Sequence, residues 1–125
     1  MKKLFISCPM RGRTKEAIDK TMDRMHRLAE IIFDQELEVI PTYISDRKPD
    51  TANRSIWYLG ESIKMLSDAD YFIGVYTDFF KGCEVERVTA RAYGIPSYIM
   101  GLEHVAVDAL EIEREHYART GNCDG

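Results

Sequence analysis

Leu4-Phe5-Ile6-Ser7-Cys8-Pro9-Met10-Arg11-Gly12-Arg13-Thr14 is the stretch that decides the fold. Its three apolar residues, closed by Ser7, Cys8 and Pro9, suit a central parallel strand buried on both faces. A turn follows at Met10 to Arg13, and Thr14 ahead of Lys15, Glu16 and Ala17 has the chemistry of a helix N-cap. Ile18, Met22, Met25, Ala29, Ile32 and Phe33 then recur at helical spacing, which predicts a long amphipathic helix over 14–34.

Outward from that unit the pattern repeats. Leu37, Val39, Ile40 and Pro41 predict a second strand, and 42–53 is polar and without period. Ile56, Leu59, Ile63 and Leu66 restore helical spacing, and Asp68-Ala69-Asp70 leads into a third strand, Tyr71 to Tyr76. A loop, Thr77 to Gly82, precedes a helix over 83–93, which Gly94 closes as a C′ residue with Pro96 just beyond. Ser97 to Met100 supplies a fourth strand, and His104 to Leu110 a short last helix. Strands alternating with helices predict an α/β, Rossmann/flavodoxin-like three-layer sandwich with a parallel sheet of four to five strands. One domain is expected over 1–110, with a tail over 111–125. Ligands of such sheets sit outside the carboxyl ends of the strands. The loops 7–14, 41–54 and 76–84 are therefore expected to meet around a site.

The chain has 125 residues, enough to bury roughly two-thirds of its unfolded surface without disulfides. With 17 basic and 21 acidic residues its formal charge is −4, which argues against a nucleic-acid polymer or an anionic membrane as partner. Cys8, Cys83 and Cys123 are odd in number and lack zinc or CxxC spacing, which suggests reduced thiols in a cytoplasmic protein. Two lysines and a short apolar run at the amino terminus read as a strand, not a signal peptide or membrane span. His26, His104 and His116 stand apart without metal-ligand spacing, so no metal site is expected of them; no organic cofactor is expected either.

Two segments carry candidate chemistry. In Ser7 to Thr14, Gly12 permits close backbone approach, the next helix presents unpaired N–H groups, and Arg11 and Arg13 offer bidentate hydrogen bonds to a phosphate. The alternative is a tight turn with two solvated arginines. In Gly82-Cys83-Glu84-Val85-Glu86, a carboxylate early in a helix at the sheet edge is favoured by the helix dipole, as a nucleophile or as an ordinary surface group. Asp70, at the start of the third strand, either lies beneath the same edge or caps the preceding helix.

These segments, taken together, resemble the nucleoside 2-deoxyribosyltransferase superfamily, which includes 2′-deoxynucleoside 5′-monophosphate N-glycosidases. The resemblance is nearest to a branch of short phage- and prophage-associated members of unassigned function, and it runs from about Lys3 to Met100. Phe5 to Gly12 is similar to the family's first strand and sugar-phosphate loop, with Arg11 matching its phosphate-binding arginine. Trp57 to Asp70 resembles the helix and turn ending in an active-site aspartate, here Asp70, and Tyr71 to Tyr76 the strand that follows. Gly82 to Glu86, with Ala90 to Gly94, matches the Gly-x-x-x-Glu that carries the family's nucleophile, here Glu86. Two positions depart: Phe5 replaces a customary tyrosine, and Ser62, beside Glu61, replaces a frequent aspartate. The hydroxyls of Tyr43, Tyr58 and Tyr76 are the candidates to compensate.

The resemblance implies a base–sugar bond cleavage in which Glu86 attacks C1′ to give a glycosyl-enzyme and Asp70 assists the departing base. The expected substrate-binding set is Ser7, Cys8, Pro9, Met10, Arg11, Gly12 and Arg13 with Tyr43, Trp57, Asp78, Gly82 and Cys83. A small nucleoside or nucleotide is the expected ligand, and a homodimer or larger homo-oligomer the expected assembly. Hydrolysis of a nucleoside 5′-monophosphate is favoured by the arginine-bearing loop. The alternatives are a deoxyribosyltransferase, a nucleotide-binding protein without turnover and a structural partner subunit.

Overall fold

The computed structural model describes residues 1–42 and 49–105. Its elements in chain order are β1 (Lys2–Ile6), α1 (Lys15–Phe33), β2 (Leu37–Val39), α2 (Arg54–Leu66), β3 (Tyr71–Tyr76), α3 (Lys81–Ala92) and β4 (Ser97–Gly101), closed by a short 3₁₀ turn (Leu102–His104). The four strands form one all-parallel sheet in the order β2-β1-β3-β4. The expected Rossmann/flavodoxin-like α/β sandwich is therefore the fold.

Alternation along the strands makes the layers. Leu4, Ile6, Ile73 and Val75 point to one face, where Met25 and Ala29 of α1 cover them. Phe5 and Phe72 point to the other, against Leu66 and Ile63 of α2 and Ala90 of α3. Each fully buried side chain of this kind contributes roughly 1.5–3 kcal/mol. The rings of Phe5 and Phe72 stack at 5.8 Å between centroids, tying β1 to β3 at the sheet centre.

Local chemistry sets the helix ends. Thr14 caps α1 as its spacing predicts, accepting the Ala17 N–H at 3.1 Å. Gly94, at φ 74°, ends α3: its N–H donates to Arg91 O and that of Ile95 to Ala90 O, the two bonds of a Schellman motif. α3 begins two residues earlier than its periodicity suggests, at Lys81. The His104 to Leu110 helix lies largely outside the described residues, as does the 111–125 tail, and the 3₁₀ turn stands ahead of it. No described helix is long and apolar enough to cross a membrane.

From β1 the chain steps outward to β2, then returns past β1 to β3. This reversal opens a crevice between the carboxyl ends of β1 and β3, the topological switch point where ligands of such sheets bind. Gly74 keeps that region narrow. A Cβ built there would stand 2.5 Å from Cε1 of the Phe72 ring and 3.5 Å from the Ser7 Cβ. Gly74→Val is therefore expected to overpack the sheet and destabilise the fold by about 1–3 kcal/mol, read as a lower denaturant midpoint with an unchanged slope. A midpoint equal to wild type would show that Phe72 yields without cost.

Candidate active site

The crevice is a cleft of about 380 Å³ between the β1–α1 turn, the start of α3 and one face of α2. Ser55, Tyr58, Leu59 and Ser62 are spaced i, i+3, i+4 and i+7, so α2 turns all four toward it. Cys8, Met10 and Arg11 come from the turn, and Phe80, Lys81, Gly82, Cys83 and Glu86 from α3 and its cap.

Glu86 is the centre of the polar contacts. The Ser7 hydroxyl, at the end of β1, donates to Glu86 Oε1 at 2.7 Å. Ser62 of α2 donates to Glu86 Oε2 at 2.5 Å. One hydroxyl on each oxygen holds the carboxylate at the cleft wall and leaves lone pairs on both oxygens. Ser7 is itself fixed, because its N–H continues the sheet by donating to Ile73 O at 2.9 Å. Burial pushes the Glu86 carboxyl above its ordinary value, and the hydrogen bonds from Ser62 and Ser7 oppose that rise.

The β1–α1 turn divides its two arginines. Gly12 takes φ 75°, and the Arg13 N–H closes the turn on Met10 O at 3.1 Å. The Arg13 guanidinium folds inward, donating to Pro9 O at 2.7 Å, Thr21 Oγ1 at 2.6 Å and Ala17 O at 3.2 Å. It is therefore a structural clamp and not the second phosphate ligand that its charge suggests, because three oxygens of its own turn and helix already hold it. Arg11 stays exposed at the cleft, 5.9 Å above the Phe79 ring. Thr14 takes the Ala17 N–H at the start of α1, whereas α3 begins at Phe80 without a side-chain cap.

Asp70 is a correction. It precedes β3, so it lies at the amino edge of the sheet, where it accepts the Lys3 N–H at 2.8 Å. Six residues of β3 separate it from the carboxyl edge, about 20 Å at the usual rise per residue. It caps the start of the sheet and does not share the cleft with Glu86.

Trp57 is not a cleft residue either: it packs edge-on against Tyr58 at 5.1 Å, and Tyr58 takes the place at the wall. Ser7, Cys8, Met10, Arg11, Gly82 and Cys83 are brought together around Glu86 as expected. Pro9 is buried beneath the turn, its carbonyl taken by Arg13, and Gly12 is exposed at its outer corner. Asp78 is exposed in the β3–α3 loop and does not line the cleft, and Tyr43 lies outside the described residues. Burial pushes the Cys83 thiol up to about 12, so this side chain is a neutral wall and not a nucleophile.

Sequence reasoning passed over Ser62 as a site residue, although two serines seven apart on the apolar stripe of α2 were a readable signal. Among the described residues no group of three or more His, Cys, Asp or Glu is placed to hold a metal ion. Comparison of the chain with known protein families, curated proteins and solved structures finds no match.

Two outcomes follow from the contacts of Glu86. A carboxyl raised in the folded state adds stability that is full below its unfolded value and lost as pH rises through the folded one. Ionised Glu86 thus opposes folding at neutral pH, and Glu86→Gln is expected to raise the denaturant midpoint at pH 8 and to converge with wild type near pH 3. A midpoint lowered at pH 8 would mean that the ionised form is net stabilising. Ser62→Ala, which removes a donor to the ionised form, is expected to move the Glu86 titration further upward by carboxyl-carbon NMR. No movement would mean that the hydroxyl is not hydrogen-bonded to the carboxylate in solution.

Proposed function

We propose that the chain is an N-glycosidase of the nucleoside 2-deoxyribosyltransferase type, cleaving the base–sugar bond of a nucleoside or deoxynucleoside 5′-monophosphate. One observation carries the reading. A carboxylate stands in the cleft at the switch point, with each oxygen held by a serine hydroxyl, on the helix where the family resemblance puts its nucleophile.

In this reading a Glu86 oxygen attacks C1′ as the bond to the base nitrogen breaks and its electron pair leaves with the base. The leaving nitrogen takes a proton from solvent. Water then attacks C1′, the ester bond to Glu86 breaks, and the carboxylate is restored as the water proton is released. A second base in place of water would make the same site a transferase. Ser7 and Ser62 keep the nucleophile in one orientation, standing in for the tyrosine hydroxyl that Phe5 lacks and the aspartate that Ser62 replaces. Arg11, with Lys81 and the uncapped N–H groups at the start of α3, offers positive charge for a 5′-phosphate.

A second reading, nucleotide binding without turnover, is favoured by a specific feature. Among the described residues Glu86 is the one carboxylate that lines the cleft, whereas glycoside cleavage ordinarily uses two.

The test is incubation with deoxynucleosides, their 5′-monophosphates and ADP-ribose-type nucleotides, followed by chromatography for released base. Base release from the monophosphates is expected, lowered by about a thousandfold or more in Glu86→Gln. Arg11→Ala should lower kcat/KM for the monophosphate and spare that for the nucleoside. The acid limb of kcat/KM should lie above the ordinary glutamate value of about 4.3, because the attacking form is the ionised one. Nucleotide bound tightly and recovered unchanged would replace this reading with the second. Release unaffected by Glu86→Gln would remove Glu86 from the chemistry.

A further inference from the structure

We propose that the groove on the other side of α3, formed by Tyr76, Arg87 and Arg91 against β4, is a second ligand site that takes a small phosphomonoester. Successive residues of a helix are about 100° apart, so Arg87 leaves α3 toward a different neighbour from Glu86. Glu86 meets Ser7 and Ser62, whereas Arg87 sits 4.6 Å over the Tyr76 ring at the end of β3. Arg91 follows one turn on and is exposed. Ile95, Ser97 and Ile99 complete a cavity of about 510 Å³, within the size range of small-molecule sites.

Three features point to an anion. Among the described residues no carboxylate lines the groove and none pairs with either arginine. Two like charges at i and i+4 repel each other in the unliganded helix. The Nε of Arg87 is buried with no hydrogen-bond partner, which leaves a donor of this charged group uncompensated beside the groove.

The chemical class follows from charge and shape. Two guanidinium groups match a dianion, and a phosphomonoester carries a charge of about −1.5 to −2 at neutral pH with three acceptor oxygens. A carboxylate would neutralise only one. Tyr76 already holds one guanidinium by cation–π contact, which lowers the entropy lost when that group engages a ligand. The exposed part of the Tyr76 ring, with Ile95 and Ile99, gives a flat apolar body somewhere to lie.

The probe is phenyl phosphate, titrated by calorimetry into the full-length Arg11→Ala, Lys81→Ala protein so that the Glu86 cleft loses both side-chain cations. Sodium chloride at matched ionic strength is the reference for general screening. One equivalent is expected to bind, and to bind at least fivefold more weakly when Arg91→Ala is added. Arg87→Lys, which keeps the charge but loses the planar fork, is the second variant and should weaken binding by a similar factor. A fivefold loss in either variant supports the site. No saturable binding beyond the chloride reference, or a smaller change in both variants, overturns it. Base release, measured separately in the Arg11-containing protein, reports on Glu86 alone, so the two readings can fail independently.

Discussion

The carboxylate of Glu86 is where β1, α2 and α3 meet, and the arrangement of the carboxyl edge depends on it. Its two hydrogen bonds reach Ser7 at the end of the central strand and Ser62 on a helix that also packs against α3 through apolar contacts. A charged group in that position is unfavourable for folding, and burial raises its proton affinity while the hydroxyls oppose the rise. A group that works against stability and is nonetheless fully oriented is the pattern expected of a functional carboxylate.

The surroundings of Glu86 are built by removing competition. Arg13 and Thr14 are both consumed in holding the β1–α1 turn, one through the carbonyls of Pro9 and Ala17 and the other through the Ala17 N–H. These bonds hold the turn together, and Arg11 is left at its outer surface beside the cleft. The start of α3, which has no side-chain cap, therefore adds unpaired N–H groups beside Arg11 and Lys81 at the cleft. Gly74 and the Phe5–Phe72 stack set how closely β1 and β3 approach behind this arrangement.

α3 divides two polar environments. One side carries a carboxylate among hydroxyls, and the other two guanidinium groups in a groove that no carboxylate among the described residues lines. Both belong to consecutive turns of one helix that is anchored at its end by the Schellman motif at Gly94.

Much of the fold was determined by the sequence by itself, because period-2 and period-3.6 patterns, an N-cap threonine and a C′ glycine act within a few residues. The strand–helix order also placed Glu86 at the carboxyl edge, since it follows β3. By the same logic Asp70, which precedes β3, belongs at the amino edge, and the strand order makes that position legible. Tertiary structure alone decided the rest. Whether Arg13 faces a ligand or its own turn depends on which carbonyls the packed chain presents, and whether Trp57 or Tyr58 reaches the cleft depends on the rotation of α2 about its axis. The spacing of Ser55 and Ser62 marks one stripe of α2, but that Ser62 meets Glu86 was decided by the packing of two helices, distant in sequence, on one face of the sheet.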